Sequence, residues 1–501
     1  MRLSDTRPPF HKLLIANRGE IAVRVARTCR AMGIPTVAVY SEADRGALHV
    51  READEAVPIG PAEAVRSYLS IEALLSAARG TGADAVHPGY GFLSQSGDFA
   101  EAVARAGLAF VGPPAAVHRA LGDKKAARRM MAAAGVPVVP GYDGDDQADA
   151  HLQAEAERIG WPVMIKPARG GGGKGMRVVR RAGDFLSALQ ASRREARSAF
   201  GDDVVVLERF VERPRHVEVQ VLADAHGRTL HVLERECSIQ RRHQKVVEET
   251  PSPALQPAQR EALLAAGVAA ARAASYVNAG TVEFLLAPDG AFYFLEVNTR
   301  LQVEHAVTEA VTALDLVRLQ IEVAAGRPLP FTQEQVVGRG HALECRIYAE
   351  DPERDDLPSP GTILHLSVPG GPGLRFDEGV AAGSEVTVHY DPLLAKLITW
   401  GRDRAESIER MAAALRQTVV LGVSTNVMRL QAIVGHPAFR AGDLHTGFLD
   451  EHLRHSTPQK CPPAAAVAAA VAALSLEAVA PGGKAPAAPD AWTALGPRRL
   501  P

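Results

Sequence analysis

A chain of 501 residues, 47% hydrophobic and 23% charged, has the make-up of a globular protein and is long enough for roughly two to four domains. Its formal net charge of −2 predicts neither a nucleic-acid binder nor a basic membrane-surface protein. The opening MRLSDTRPPF lacks the apolar core of a signal peptide, and no later apolar run reaches membrane-spanning length. Four cysteines (Cys29, Cys237, Cys345, Cys461) show no CxxC spacing, which predicts a reducing, cytoplasmic setting and argues against a zinc site.

Residues 12–122 alternate strand and helix. KLLIAN is an apolar run, GEIAVRVARTCRAMG reads as a helix closed by Gly33, and IPTVAVYS is the next strand. ADAVHP and LAFVGP repeat the strand signal, with SIEALLSAARG as a helix between strands, so a parallel α/β unit is expected. NRGE follows the first strand where a dinucleotide fingerprint would need GxGxxG. His87 to Phe92, HPGYGF, forms a tight loop.

The texture changes after Val138. PVMIK (162–166) is a strand ending in Lys166, followed by ARGGGGKGMRVV. Four consecutive glycines, Gly170, Gly171, Gly172 and Gly173, let bare backbone N–H groups approach phosphate oxygens beside Lys174. Ala168 and Gly175 stand where a P-loop would need Gly and Ser or Thr. Strand-like flanks make the run a hairpin flap over a nucleotide rather than a linker. VVVLERF (204–210) is a further strand, and HVEVQVLAD places His216, Glu218 and Gln220 on one face. Gln240, Arg241, Arg242, His243 and Lys245 then crowd six positions without aromatic residues, which suits a small anionic substrate better than single-stranded nucleic acid. Cys237 has no base identifiable beside it and reads as a structural thiol.

Residues 281–305, TVEFLLAPDGAFYFLEVNTRLQVEH, read as two apolar strands joined at Pro288-Asp289-Gly290. Folding about Asp289-Gly290 sets Leu285 against Phe294, Phe284 against Leu295 and Glu283 against Glu296. Two carboxylates facing each other across strands repel unless a proton or a cation lies between them. Asn298 shares their face, and carboxylates plus an amide form a set for a hard cation, Mg²⁺ or Mn²⁺. Arg300, Gln302, Glu304 and His305 follow within a short polar run.

Taken together, HPGYGFLS (87–94), GDK (122–124), GGGGKGM (170–176), RHVEVQV (215–221), ECSIQRRHQKVVEE (236–249), EVNTRLQVEH (296–305), ECRIYAEDP (344–352) and PSPG (358–361) resemble biotin carboxylase, the ATP-grasp component of the biotin-dependent carboxylases. The likeness runs in order over residues 12–453, with Asp356 in place of an aromatic before LPSPG. It implies an α/β fold in segments: a Rossmann-like N-terminal domain over 1–122, an ATP-grasp domain over 123–330 with a mobile lid at about 138–211, and a C-terminal domain over 338–454. An Ala/Pro-rich tail or linker would fill 455–501. The family reaction phosphorylates bicarbonate with ATP, and the carboxyphosphate delivers CO₂ to N1′ of biotin.

By motif, Lys124, Lys166, Gly171, Gly172, Gly173, Glu208, Arg209, Val211, His216, Gln240, His243, Glu283 and Glu296 would hold ATP. Glu283, Glu296 and Asn298 would hold Mg²⁺ or Mn²⁺. Lys245, Arg300, Gln302 and Val303 would bind bicarbonate, Glu304 would deprotonate it, and Arg346 would stabilise charge on biotin. No AMKM-like biotinylation motif occurs, so the expected partners are a separate biotin carboxyl carrier protein and a carboxyltransferase subunit. A homodimer with Arg375 at its interface is also implied. RLQVEH and ECRI favour this family over ATP-grasp ligases for amino acids or purine intermediates.

Overall fold

The computed structural model describes residues 8–168, 175–242 and 244–453, apart from the side chain of Phe200. Gly171, Gly172, Gly173, His243 and the expected tail at 455–501 therefore lie outside the described residues.

The N-terminal part is the expected parallel unit. Its five strands stand in the order Glu55–Gly60, Thr36–Ser41, Leu13–Ile15, Ala85–His87, Ala109–Phe110, all paired parallel. Leu13, Leu14 and Ile15 are buried on both faces, as a central strand between helix layers requires. Helix Gly19–Met32 leaves the first strand and ends at Gly33, whose φ of 69° suits a residue without Cβ. The strand order reverses beside Leu13–Ile15, and a crevice opens at such a switch point. There the Asn17 amide donates to the carbonyls of Pro88 and Tyr90, both at 2.7 Å, fastening HPGYGF over the first turn.

Four antiparallel strands, ordered Gly141–Tyr142, Val205–Arg209, Val163–Pro167, Arg177–Val179, form a small sheet in the lid region. Helices Asp149–Ile159 and Phe185–Phe200 cover it through Leu152, Phe185 and Leu189, packed on Val163, Ile165 and Leu207. Val163 pairs with Val179 and Ile165 with Arg177, so the strands that flank the glycine run pair antiparallel, as expected.

The largest sheet has eight antiparallel strands: Phe292–Asn298, Asn278–Leu286, Arg215–Ala223, Thr229–Arg241, Gln244–Thr250, His341–Tyr348, Leu393–Gly401, Leu374–Glu378. Pairing of Glu248 with Glu344 and Thr250 with Ala342 carries this sheet from the middle of the chain into its C-terminal part. Asp356, in the left-handed region at φ 57°, is held by Arg241 at 3.3 Å and by Arg429, so ion pairs pin this loop.

The 281–305 hairpin corrects one expectation. Ala287 N–H donates to Ala291 at 2.8 Å, closing a three-residue loop with Gly290 at φ 88°. Phe284 therefore faces Phe294 and Leu285 faces Tyr293, not Leu295 and Phe294. A bulge between Glu283 and Phe284 then absorbs the extra residue and returns Glu283 to its place opposite Glu296. Among the described residues no helix is long and apolar enough to cross a membrane.

Candidate active site

Two clefts flank a buried chain of charges. The first, about 260 Å³, is lined by Lys124, Arg128, Lys166, Glu208, His216, Gln240, Glu283 and Glu296, with Met176, Val206, Phe294 and Leu295 as apolar walls. Alternation along Val205–Arg209 turns Glu208 inward, where it pairs with Lys166 and lies 3.5 Å from Arg128. Burial, with help from the Lys166 charge, lowers the Lys124 pKa, opposed by Glu296. Gln240 donates to His216 Nδ1 at 2.9 Å, and His216 Nε2 lies 3.2 Å from Glu283.

The carboxylates of Glu283 and Glu296 titrate apart. Burial would raise the Glu283 carboxyl, but the Lys245 ammonium and then His216 override it and hold it well below the usual carboxylate range. Glu296, exposed along the cleft but walled by protein elsewhere, is pushed up by burial and by the Glu283 charge. Among the described residues no side chain hydrogen-bonds or ion-pairs with Glu296. Asn298 donates to Glu283 at 2.9 Å while its own oxygen faces Arg300 at 3.3 Å. Two facing carboxylates and an amide fit a hard divalent ion.

Lys245 is the hinge of the arrangement. Its Nζ contacts Glu218 at 2.5 Å, Glu283 at 2.7 Å and Glu304 at 2.6 Å, and its side chain is 11% exposed. Burial lowers an ammonium pKa, yet the three carboxylates together push Lys245 well above its ordinary value. Glu304, the N-cap residue of helix His305–Thr312, also accepts from Arg346 at 2.9 Å. Burial raises its carboxyl, but Lys245, Arg346 and Arg235 hold it well below the usual range. Arg346 in turn donates Nε–H to Glu248 at 2.6 Å. Beneath Lys245, the fully buried Arg235 grips Glu218 at 2.5 Å, Gln220 at 2.7 Å and the hydroxyls of Thr308 and Thr281.

Arg346 also floors the second cleft, about 440 Å³, together with Arg300 and Val303. Its walls are aromatic: Tyr90, Phe92, Tyr348 and Tyr390, with the Arg18 guanidinium 4.5 Å above the Tyr390 ring. Arg300 donates to Gln302 at 2.9 Å, Gln302 to Glu283 at 3.3 Å, and Lys396 fixes the Val303 carbonyl at 2.8 Å. The charge chain Glu283–Lys245–Glu304–Arg346 thus joins one cleft to the other.

The structure brings together Lys124, Lys166, Glu208, His216, Gln240, Lys245, Glu283, Glu296, Asn298, Arg300, Gln302, Val303, Glu304 and Arg346. Arg209 and Val211 do not line the first cleft: Arg209 turns out to the Tyr293 hydroxyl at 2.9 Å and Val211 is buried. Arg375 pairs within its own chain, with Glu309 and Asp377, each at 2.7 Å. Cys237 is buried, and desolvation keeps its thiol protonated. Reading the sequence missed Arg128, Arg235, Glu248 and any role for Glu218. The Glu218 alternation was visible, but its partners lie on other strands.

A switch-point parallel sheet, a hairpin lid and a lysine–carboxylate cleft define an ATP-grasp ligase. The families described as "Biotin carboxylase, N-terminal domain", "Carbamoyl-phosphate synthase L chain, ATP binding domain" and "Biotin carboxylase C-terminal domain" match residues 9–117, 123–332 and 344–451. Biotin carboxylase of Nostoc is 50% identical over 88% of this chain and 99% of that protein. The mitochondrial methylcrotonoyl-CoA carboxylase subunit alpha of Mus musculus is 50% identical over 89% of this chain, which spans 62% of the relative's length. The biotin carboxylase domain dimer of Hydrogenobacter thermophilus 2-oxoglutarate carboxylase, solved with MgADP, ADP and bicarbonate, superimposes with a TM-score of 0.84 at 43% identity. That match covers 88% of this chain and 98% of the solved one. The chain belongs to the biotin carboxylase family.

Proposed function

We propose that the chain carboxylates N1′ of biotin with ATP and bicarbonate through carboxyphosphate, acting on a separate biotin carboxyl carrier protein. This would be the first half-reaction of an acyl-CoA carboxylase, completed by a carboxyltransferase subunit. One observation carries the reading: Lys245 and Glu304 link the nucleotide cleft to an aromatic-walled cleft whose floor is Arg346. An anion bound at Lys245, Arg300, Gln302 and Val303 then sits between the phosphate donor and the acceptor, which is the positioning that phosphoryl transfer needs.

In this reading Lys124, Lys166 and the Gly171–Gly172–Gly173 backbone hold phosphates. Glu208, His216, Gln240 and His243, with the backbones of Arg209 and Val211, hold the rest of the nucleotide. Glu283, Glu296 and Asn298 hold Mg²⁺ or Mn²⁺, which offsets phosphate charge when bound. Glu304 takes the bicarbonate proton, and Arg346 stabilises the charge that develops on the ureido oxygen. The aromatic walls exclude water from the acceptor ring. A homodimer through the face around Arg375, and a reducing compartment such as the cytoplasm, complete the proposal. The free, buried Cys29, Cys237 and Cys345 suit the latter. Bicarbonate-dependent ATP hydrolysis stimulated by free biotin, with carboxybiotin as product, tests the reading. ATP cleavage indifferent to both compounds would overturn it.

The metal assignment makes its own prediction. In Glu296→Gln, Mn²⁺ affinity measured calorimetrically with ADP present should fall at least about 10–100-fold. Without metal, thermal stability should stay level or rise, because the repulsion across Glu283 and Glu296 is gone. A lower melting temperature with unchanged Mn²⁺ affinity would mark the pair as purely structural.

A further inference from the structure

Directly behind Arg346 lies a carboxylate pair that the proposed reaction does not use. Glu344 and Glu248 face each other across antiparallel strands and are both 0% exposed. Cross-strand neighbours of this kind have Cβ atoms roughly 5 Å apart. Among the described residues, both oxygens of Glu344 lack any hydrogen-bond donor, and so does one oxygen of Glu248. The other Glu248 oxygen takes the Arg346 guanidinium, at 2.6 Å from Nε.

Among the described residues no cation lies within ion-pair distance of Glu344. Among the described residues, Glu218, Glu283, Glu304, Glu248 and Glu344 along the buried chain share Lys245, Arg235 and Arg346, with His216 beside Glu283. From the next strand Lys396 faces the pair, but its ammonium lies 3.1 Å from Glu20 and 3.7 Å from Asp377 and donates to the Val303 carbonyl. Helix His305–Thr312 covers this side through Ala306 and Val307, packed with Ala342 and Ile398. Its charged contribution is Glu304, already paired; His305 is neutral and Glu309 binds Arg24 and Arg375. Cys345, the intervening residue, joins the apolar cluster on the opposite face. An ionised carboxylate without donors in such a place would be severely penalised, whereas a carboxylic acid can donate to its neighbour.

Resting on the functional reading above, we propose that Glu344 is held as the neutral acid, sharing one proton with Glu248, as a positioning residue for Arg346. Glu248 then carries the only charge behind Arg346, so the guanidinium keeps enough net positive character to meet the ureido oxygen. With both carboxylates ionised, Arg346 would be flanked by Glu248, Glu344 and Glu304 and largely neutralised. The electrostatics agree. Burial, reinforced by Glu248, pushes the Glu344 carboxyl well above its ordinary value against the pull of Lys396. Burial also raises Glu248 to about 7, despite Arg346 and Lys245 and with Glu304 adding to the rise.

Raised carboxyl pKa values stabilise the fold below the unfolded value and lose that contribution as pH rises through the folded one. Wild-type stability should therefore decline from about pH 5 upward past pH 7, and Glu344→Gln, neutral and of equal size, should flatten the decline while leaving stability at pH 7 level or higher. Infrared spectra of the wild-type chain at pH 7 should show a protonated-carboxyl stretch that shifts in D₂O and is absent from Glu344→Gln. In the same variant the alkaline limb of carboxybiotin formation should move up by about one pH unit or more, with bicarbonate-dependent ATP hydrolysis unchanged. A missing band, together with a lower melting temperature for Glu344→Gln, would show an ionised, paired Glu344 and overturn the proposal. A band with an unchanged carboxylation profile would overturn its link to Arg346. A band in a chain that does not cleave ATP with bicarbonate would sink the functional reading instead, and leave the shared proton standing.

Discussion

Lys245→Met is expected to cost on the order of 3–5 kcal/mol of stability at pH 7 and to lower ATP turnover by at least about 10²–10³-fold. The side chain is the common cation of Glu218, Glu283 and Glu304, all three buried, and methionine fills its volume without its charge. Removing one partner of a buried ion cluster leaves the others uncompensated, which costs more than the cluster contributed. The sign of the pH dependence follows. In the wild type Glu283 and Glu304 are held below their unfolded pKa values, so their contribution is present above that value and lost as pH falls through the folded one. In the variant the same carboxyls rise, so the fold loses stability as pH increases. The gap between the two melting temperatures should be widest near neutrality and narrow towards pH 5. Calorimetric scans of both chains from pH 5 to 8 measure it. A gap that widens on acidification would mean that water or another cation already balances the cluster.

The parallel unit could be read from residues 12–122 because its strands are short apolar runs set off by helical periodicity and Gly33, all local signals. The facing of Glu283 and Glu296 was legible too, although by two compensating departures. A three-residue loop shifts the pairing by one, and a bulge shifts it back just before the carboxylates. Loop length and bulges depend on packing that a two-strand reading does not include, so the apolar partners came out wrong while the acidic ones came out right. What stayed hidden is the layer beneath the site. Arg235 sits within VLERE, which reads as an ordinary strand, and its partners Glu218, Thr281 and Thr308 come from three other elements. Glu248 and Glu344 meet only because strand Gln244–Thr250 pairs with His341–Tyr348, about 90 residues on. No local pattern encodes such a register.

Glu304→Gln and Arg346→Ala should separate the two halves of the proposed reaction. Resting Glu304 is a weak base, since Lys245 and Arg346 hold its carboxyl low. Bicarbonate binding would draw Lys245 towards the new anion and so free Glu304 to accept the proton at the moment of attack. A positioned general base contributes roughly 10²–10⁴-fold, and Glu304→Gln should lose about that much bicarbonate-dependent ATP cleavage. Arg346 enters from a distant strand and lines the second cleft, so in the proposed reaction it would act after phosphoryl transfer. Loss of one charge-stabilising donor costs on the order of 10²–10³-fold, and in Arg346→Ala that loss should fall on carboxybiotin formation. ATP cleavage without biotin should survive better in Arg346→Ala, with one qualification that the geometry supplies. Arg346 also holds Glu304 at 2.9 Å, and its removal relieves part of the depression of the Glu304 carboxyl. The acid limb of the residual ATPase should then lie at higher pH than in the wild type, because a freer carboxylate protonates earlier. Phosphate release with and without biotin, together with carboxybiotin formation, measured across pH for both variants, reads all of this. Equal loss of the three activities in both variants would mean that Arg346 also holds bicarbonate, and the division of labour between the two residues would fall.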